Sequence, residues 1–317
     1  MSTRSVMVLA GGLSHERDVS LRSGRRVAAA LREAGLSVIE TDLDTSVMAR
    51  LERHEVDLVW PLLHGATGED GSVREVLELA GMPYLGSDPR ASRLAWNKAM
   101  AKTTLRRAGV NTPDYVTLPQ SLFREMGAPA LLSLVESAFG LPIMVKPLQG
   151  GSALGITRVD QPDVLPRAMM DCFSYWPTAM MERAIDGTEL AVAVVDLGAG
   201  PVALPAVEIV TDGPYDYDAR YNPGRAEFFT PARISQPDAA RAADMAIKCH
   251  LELGLRHISR SDLILDATGE LHFLEVNVAP GMQETSLLPQ AALAAGYSLP
   301  RLYAELVEAA IASEPAV

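Results

Sequence analysis

Asp262, Glu275 and Asn277 are the residues whose types and spacing say most about chemistry in this chain. Glu275 and Asn277 close the apolar run His272-Phe-Leu-Glu-Val-Asn277, just ahead of a Pro-Gly turn. Positions i and i+2 of a strand point to the same face. An upstream run, Arg260-Ser-Asp-Leu-Ile-Leu265, carries Asp262 and is followed by the turn-forming spacer Asp266-Ala-Thr-Gly-Glu270. The pair reads as a hairpin with its loop at 267–270, a register that sets Asp262 opposite Glu275. Two carboxylates and one amide oxygen on one patch suit Mg²⁺ sharing its shell with phosphates. The competing reading is a solvated hairpin whose acidic face does nothing.

Other segments admit two readings each. The loop Gln149–Gly155 follows a strand carrying Lys146. Glycines let backbone N–H groups approach a phosphate, and the lysine supplies charge. An ordinary hairpin turn has the same composition, and the loop is neither a Walker A sequence nor a G-x-G-x-x-G. Glu182 and Glu189 flank a turn, where they accept from an adenine amino group or ribose hydroxyls, or simply face solvent. Glu16 sits at a strand-to-helix turn. It binds a substrate ammonium or complements the helix dipole. His64, in His-Gly-Ala-Thr-Gly-Glu-Asp-Gly71, has no nearby cysteine or second histidine, so zinc is not indicated. Arg260 either balances Asp262 or stabilises negative charge developing in acyl or phosphoryl transfer.

The elements that must position these residues alternate at first. Ser5–Ala10 reads as a buried strand, Val19–Ala34 as a helix stopped by Gly35, Leu36–Glu40 and Leu58–Leu62 as further strands, and Ser72–Ala80 as a helix ending at Gly81. That alternation predicts a parallel, doubly wound α/β unit with ligands beyond the carboxyl ends of its strands. A helical region is expected over Arg90–Ala108. Pro142–Pro147 and Ile156–Val159 then form two strands joined by the glycine-rich loop. Residues 187–317 read as a larger α+β region with a candidate mobile loop at Gly213–Gly224. The expected domains are 1–95, 96–186 and 187–317.

Composition narrows the classes. The 317 residues carry a formal charge of −12, a poor balance for general nucleic-acid binding. Two cysteines, Cys172 and Cys249, make no disulfide framework, which favours a reducing compartment. The opening apolar run Val6–Ala10 is too short for a signal segment or a membrane span. A cytoplasmic protein without membrane contact is expected.

Taken in order, these pieces resemble the D-alanine–D-alanine ligases of the ATP-grasp fold. The resemblance runs nearly end to end. It includes Gly11–Gly24, His64–Gly71, Pro83-Tyr-Leu-Gly86, Lys98, the Lys146 loop, Glu182–Glu189, Tyr215–Tyr221, Arg260–Leu265 and Glu275–Pro289. It implies a three-domain ATP-grasp fold with an N-terminal parallel α/β domain. It also implies that Lys98, Lys146, Gly151 and Arg220 hold ATP phosphates, and that Glu182 and Glu189 hold the adenosine. Asp262, Glu275 and Asn277 would bind two Mg²⁺ ions, with Mn²⁺ as an alternative. Glu16 would take the ammonium of the first of two D-alanines, with His64 lining that site. Ser152 and Tyr221 would bridge to Glu16 and shut the site. Arg260 and the Gly281 N–H would stabilise the tetrahedral centre, and Ser286 and Leu287 would receive the second D-alanine. A homodimer is implied.

Five positions depart from the family pattern. Ala153 stands for a usual serine, Arg220 for lysine, Asn97 for aspartate, and Val278 and Gln283 each for threonine. They leave room for a ligase of another amino acid or a 2-hydroxy acid, or for a nucleotide-binding paralog without turnover.

Overall fold

The computed structural model describes residues 4–53, 55–151, 153–211 and 224–313. The chain opens with β1 (Ser5–Ala10), α1 (Arg17–Glu33), β2 (Ser37–Asp42), α2 (Ser46–Glu52), β3 (Leu58–Pro61), α3 (Ala66–Glu69) and α4 (Ser72–Leu79). The strands form a parallel sheet in the order β2-β1-β3. Val6, Met7, Val8 and Leu9 of central β1 are all buried, as expected of a parallel strand covered on both faces. The predicted parallel unit is therefore present.

The helical region expected over Arg90–Ala108 is two helices, α5 (Pro89–Trp96) and α6 (Lys98–Arg107). Asn97 breaks them. Its backbone is extended (φ −90°, ψ 100°) and its side-chain oxygen accepts from the Met100 N–H at 3.1 Å. Asn and Asp both serve as N-caps, so this departure from the family pattern keeps the cap.

A four-stranded antiparallel sheet follows, built from β4 (Tyr115–Pro119), β5 (Ile143–Pro147), β6 (Thr157–Val159) and β7 (Thr178–Arg183) in the order β4-β7-β5-β6. Helices α7 (Gln120–Met126), α8 (Ala128–Phe139) and α9 (Leu165–Phe173) pack with it, giving a separate core around Ile143, Val145 and Met181. Strands β5 and β6 pair as predicted across the glycine-rich loop, Ile143 opposite Val159.

The third sheet contains β8 (Gly187–Asp196), β9 (Pro201–Ala203), β10 (Val207–Thr211), β11 (Ala226–Phe229), β12 (Ile258–Asp266) and β13 (Leu271–Asn277). Its order is β11-β10-β8-β12-β13, with β9 pairing the far end of β8. Helices α10 (Gln236–Glu252), α11 (Leu287–Ala294) and α12 (Leu299–Ala312) complete the chain.

Packing does not follow chain order. One face of the third sheet, with Leu190, Val192, Leu263 and Phe273, shares a core with Ala95 and Leu105 of α5 and α6. The other face shares a core with β1, β3 and α12, where Trp60 meets Tyr303 edge-on at 5.4 Å. The site residues lie on this second face. No helix among the described residues is long and apolar enough to cross a membrane.

Candidate active site

The β12–β13 hairpin turns at 267–270 as predicted and sets Asp262 opposite Glu275 and Arg260 opposite Asn277. It does so through a bulge. Leu263 pairs with Phe273, so the register slips by one between Asp262 and Leu263 and leaves Leu274 extra. Such an insertion moves the residues beyond it to the other face. Phe273 accordingly lies in the core, while Glu275, two residues on, opens on the cleft.

Each acidic group of this cluster is engaged. Arg260 forks onto Asp262, with Nε 2.7 Å from Oδ1 and Nη2 2.8 Å from Oδ2. Lys98, the first residue of α6, puts its Nζ 3.3 Å from Glu275 Oε2 and donates to the Gly150 carbonyl at 2.6 Å. Asn277 Oδ1 accepts from the Ala279 N–H at 2.8 Å.

The opposite wall belongs to the four-stranded sheet. Lys146 on β5 pairs with Glu182 on β7. Lys102, fully buried on α6, sits 2.7 Å from the other Glu182 oxygen. Burial alone would push this carboxyl up, but the two ammonium groups outweigh it and hold its pKa below the usual range. Burial pushes the Lys102 ammonium down to about 8, against the pull of Glu182. Between the walls lies a cavity of about 560 Å³, with Lys146, Glu182, Glu189, Asp262 and Glu275 in its lining. That is ample for a cofactor-sized ligand.

A narrower recess, lined in part by Glu69, Lys98, Gly151 and Asn277, adjoins it. Here the loops beyond β1 and β3 meet. Glu16 is buried at the N-cap of α1. Glu69 is buried in α3 and accepts from the Gly65 N–H at 2.9 Å. Burial first, and the charge of Glu16 second, push the Glu69 carboxyl up to about 8. A methyl group at Gly151 would lie 3.5 Å from Glu69 Oε1 and 3.7 Å from both Glu16 oxygens. The glycine-rich loop thus runs close to the N-terminal acids. His64 is buried, and burial together with the Arg260 charge holds its pKa down to about 4. The imidazole is neutral at pH 7, and its Nε2 has no hydrogen-bond partner among the described residues.

At the far end, a methyl group on Gly281 would come within 2.8 Å of Ser286 Oγ. A side chain at 281 would force the Ser286 hydroxyl to move. Ser286 precedes α11, and its Oγ accepts from the Gln283 N–H at 2.9 Å. The Leu287 side chain is committed to the core, which leaves its backbone for contact with a ligand. The remaining candidates, Ser152, Arg220 and Tyr221, lie outside the described residues, as does all but Gly224 of the expected 213–224 loop.

Residues 104–308 match the model for the C-terminus of D-Ala D-Ala ligase, and residues 40–87 match the model for its N-terminus. The chain belongs to the D-alanine–D-alanine ligase family. A D-alanine–D-alanine ligase from Desulforudis audaxviator is 39% identical over 97% of this chain and 98% of its own length. One from Nitratidesulfovibrio vulgaris (strain DP4) is 41% identical over 96% of this chain and 97% of its own. Among solved structures, the D-alanine–D-alanine ligase from Bacillus anthracis superposes with a TM-score of 0.80 at 27% identity, covering 98% of this chain and 97% of that one. The VanG D-Ala:D-Ser ligase from Enterococcus faecalis gives 0.84 at 26% identity, covering 98% and 100%. The architecture is the ATP-grasp α/β fold of these ligases.

Three residues in or behind the walls of the D-alanine–D-alanine ligase cleft escaped the sequence reading: Lys102, Glu69 and Thr112. Lys102 stands four residues after Lys98, a spacing that puts both on one helix face. Glu69 lies inside the His64–Gly71 loop. Thr112 Oγ1 accepts from Lys102 Nζ at 3.0 Å and donates to the Phe273 carbonyl at 2.9 Å. No sequence signal singles it out.

Proposed function

We propose that this chain joins two D-alanines at the expense of ATP, supplying the dipeptide of peptidoglycan precursors. The observation that carries the reading is the convergence of Lys98, Lys146, Asp262 and Glu275 on one cleft, next to the Glu16 and Arg260 ends of the N-terminal loops and β12. ATP takes the large cavity, with Glu182 and Glu189 toward the adenosine and Lys98, Lys146, the Gly151 backbone and Arg220 toward the phosphates.

The donor set at the hairpin fits Mg²⁺. Two carboxylates and an amide oxygen share one face, and no group of three His, Cys, Asp or Glu side chains cages a metal among the described residues. Mg²⁺ favours one or two carboxylates completed by phosphate oxygens and water. Asp262, Glu275 and Asn277 would hold two Mg²⁺ ions, or Mn²⁺. The metal, when bound, neutralises charge on the transferring phosphoryl group.

Glu16 takes the ammonium of the first D-alanine, beside His64. The D-alanine carboxylate oxygen bonds to the γ-phosphorus as ADP leaves, giving an acyl phosphate. The free amine of the second D-alanine, held near Ser286 and Leu287, attacks the carbonyl carbon. Arg260 and the Gly281 N–H take the negative charge that forms on the carbonyl oxygen. The amine loses its proton and inorganic phosphate leaves. Acyl phosphates hydrolyse, so Ser152 and Tyr221, bridged to Glu16, exclude water. The protein acts in the cytoplasm as a homodimer.

The test is phosphate release with ATP, Mg²⁺ and D-alanine together, stoichiometric with dipeptide. Turnover with L-alanine but not D-alanine would sink the substrate assignment. Gln283 favours a second reading for the acceptor. Its amide donates to the Val19 carbonyl of α1 at 3.2 Å, at the position where the family pattern carries threonine. D-Serine in competition with D-alanine decides between the acceptors.

A further inference from the structure

Lys102 has no place in the reaction just described, yet it is the most deeply buried cation of the cleft. Its Nζ holds Glu182 at 2.7 Å, Thr112 Oγ1 at 3.0 Å and the Phe273 carbonyl at 3.4 Å. It lines none of the space around the site; Lys146 and Glu182 do. Glu182 therefore divides its two oxygens, one to Lys146 facing the cavity and one to Lys102 behind the wall.

That division matters once a nucleotide arrives. Lys146 is the member of the trio able to reach a phosphate. A phosphate that draws it away removes one of the two charges that keep a buried carboxylate ionised. With Lys146 alone as partner, Glu182 would either detain it or move toward the neutral acid. A neutral acid presents a donor where an adenine amino group needs an acceptor. Lys102 prevents both outcomes. It cannot follow Lys146, since Thr112 and the Phe273 carbonyl fix its ammonium group.

We propose that Lys102 is a positioning residue for Glu182, holding that carboxylate as an anionic acceptor while Lys146 transfers to the nucleotide, and so setting selection of the base. The proposal rests on the reading that Glu182 meets the base of ATP.

The experiment compares ATP with ITP, whose base carries a carbonyl oxygen in place of the amino group. Wild type, Lys102→Met, Glu182→Gln and the double variant are assayed for phosphate release at saturating D-alanine. Lys102→Met is expected to raise the KM for ATP at least tenfold, to shrink the ATP-over-ITP preference by a similar factor, and to leave the KM for D-alanine unchanged. The double variant should be no worse than Glu182→Gln, because Lys102 acts only through that carboxylate. Effects that add in the double variant, or an ATP-over-ITP preference intact in Lys102→Met, would overturn the proposal. Glu182→Gln tests the underlying reading by itself: an unchanged base preference there means that Glu182 does not face the base. Thr112→Val, which keeps shape and removes the hydroxyl on Lys102, should move the same ratio in the same direction by less. It decides the matter if Lys102→Met does not fold, and an unmoved ratio there rejects the role.

Discussion

Glu182 and Glu69 are both buried carboxylates in one active-site region, and their proton affinities move in opposite directions. Glu182 is held below the usual range because Lys102 and Lys146 outweigh its burial. Glu69 is pushed up to about 8 because burial and the neighbouring Glu16 dominate over the more distant Lys98 and Arg74. Burial is common to both, so partners decide the charge. On the side proposed for the nucleotide, Glu182, Asp262 and Glu275 each have a cation within ion-pair distance. On the side proposed for the amino acid, Glu69 and Glu16 lie close together, and Glu69 accepts from the Gly65 N–H. The first arrangement suits a polyanion that exchanges with resident carboxylates for the lysines. The second suits an incoming ammonium held by Glu16 beside a mostly neutral Glu69.

The contrast breaks most severely if charge is removed from the nucleotide side. Glu275→Gln keeps the side-chain size and releases Lys98 from its ion pair. We expect kcat to fall roughly a hundredfold or more, the scale of one strong electrostatic contact in a dry site. Circular dichroism should show an intact fold. Normal turnover with unchanged Mg²⁺ dependence would return the hairpin to a solvated acidic face.

Glu69→Gln probes the other side. With its pKa near 8, Glu69 is mostly protonated at neutral pH, and glutamine resembles the protonated acid. The variant should keep activity within a few-fold at pH 7. A carboxyl whose folded pKa is raised contributes stability that is present below its unfolded value and lost as pH rises through the folded value. Between pH 5 and 9 the wild-type Tm should therefore drop relative to that of Glu69→Gln. Parallel Tm curves would mean that Glu69 ionises normally.

The acid limb is set by three histidines. His64, His250 and His257 are each held down to about 4, chiefly by burial. The unfolded chain binds protons from about pH 6.5 downward while the folded protein does not, so stability falls as pH drops from about 6.5 toward 4. Urea midpoints across that range measure it. His250→Asn should flatten the slope, since one titrating group is gone.

The smallest effect is expected at Gln283. Gln283→Ala removes a partly buried bond to Val19 worth about 0.5–1.5 kcal/mol. It should raise the KM for the second D-alanine a few-fold and leave that for ATP unchanged. A change in ATP affinity instead would show that α1 and the 281–286 turn act on the nucleotide side.

Much of this cleft is legible from the chain. The Asp262–Glu275 pairing follows from a turn-forming spacer of the right length, and the parallel first unit follows from alternating patterns. The bulge at Leu274 does not, because Phe273 and Glu275 stand two apart and a regular strand would put them on one face. Only the competition between a core that takes the phenylalanine and a cleft that takes the glutamate resolves it. Lys102 was invisible for a different reason. A lysine in mid-helix reads as solvent-facing unless its partners are known, and Thr112, Glu182 and Phe273 come from three other segments. Asn97 inside an apparently continuous helical stretch was a readable break that periodicity alone passed over.

The Trp60–Tyr303 contact has a bearing on how the polypeptide is made. Tyr303, Leu306 and Val307 complete the hydrophobic layer over Val6, Val8 and Trp60, yet they are synthesised some 240 residues after Trp60 by the count of the sequence. Ribosomes add about 5–20 residues per second, and domains generally fold as units from the N-terminal side. The first sheet leaves the exit tunnel with its inner face uncovered for a good part of translation. A stop codon that deletes α12 would leave that apolar layer open in the finished product, so nascent-chain capture by a chaperone should persist until residue 307 has emerged.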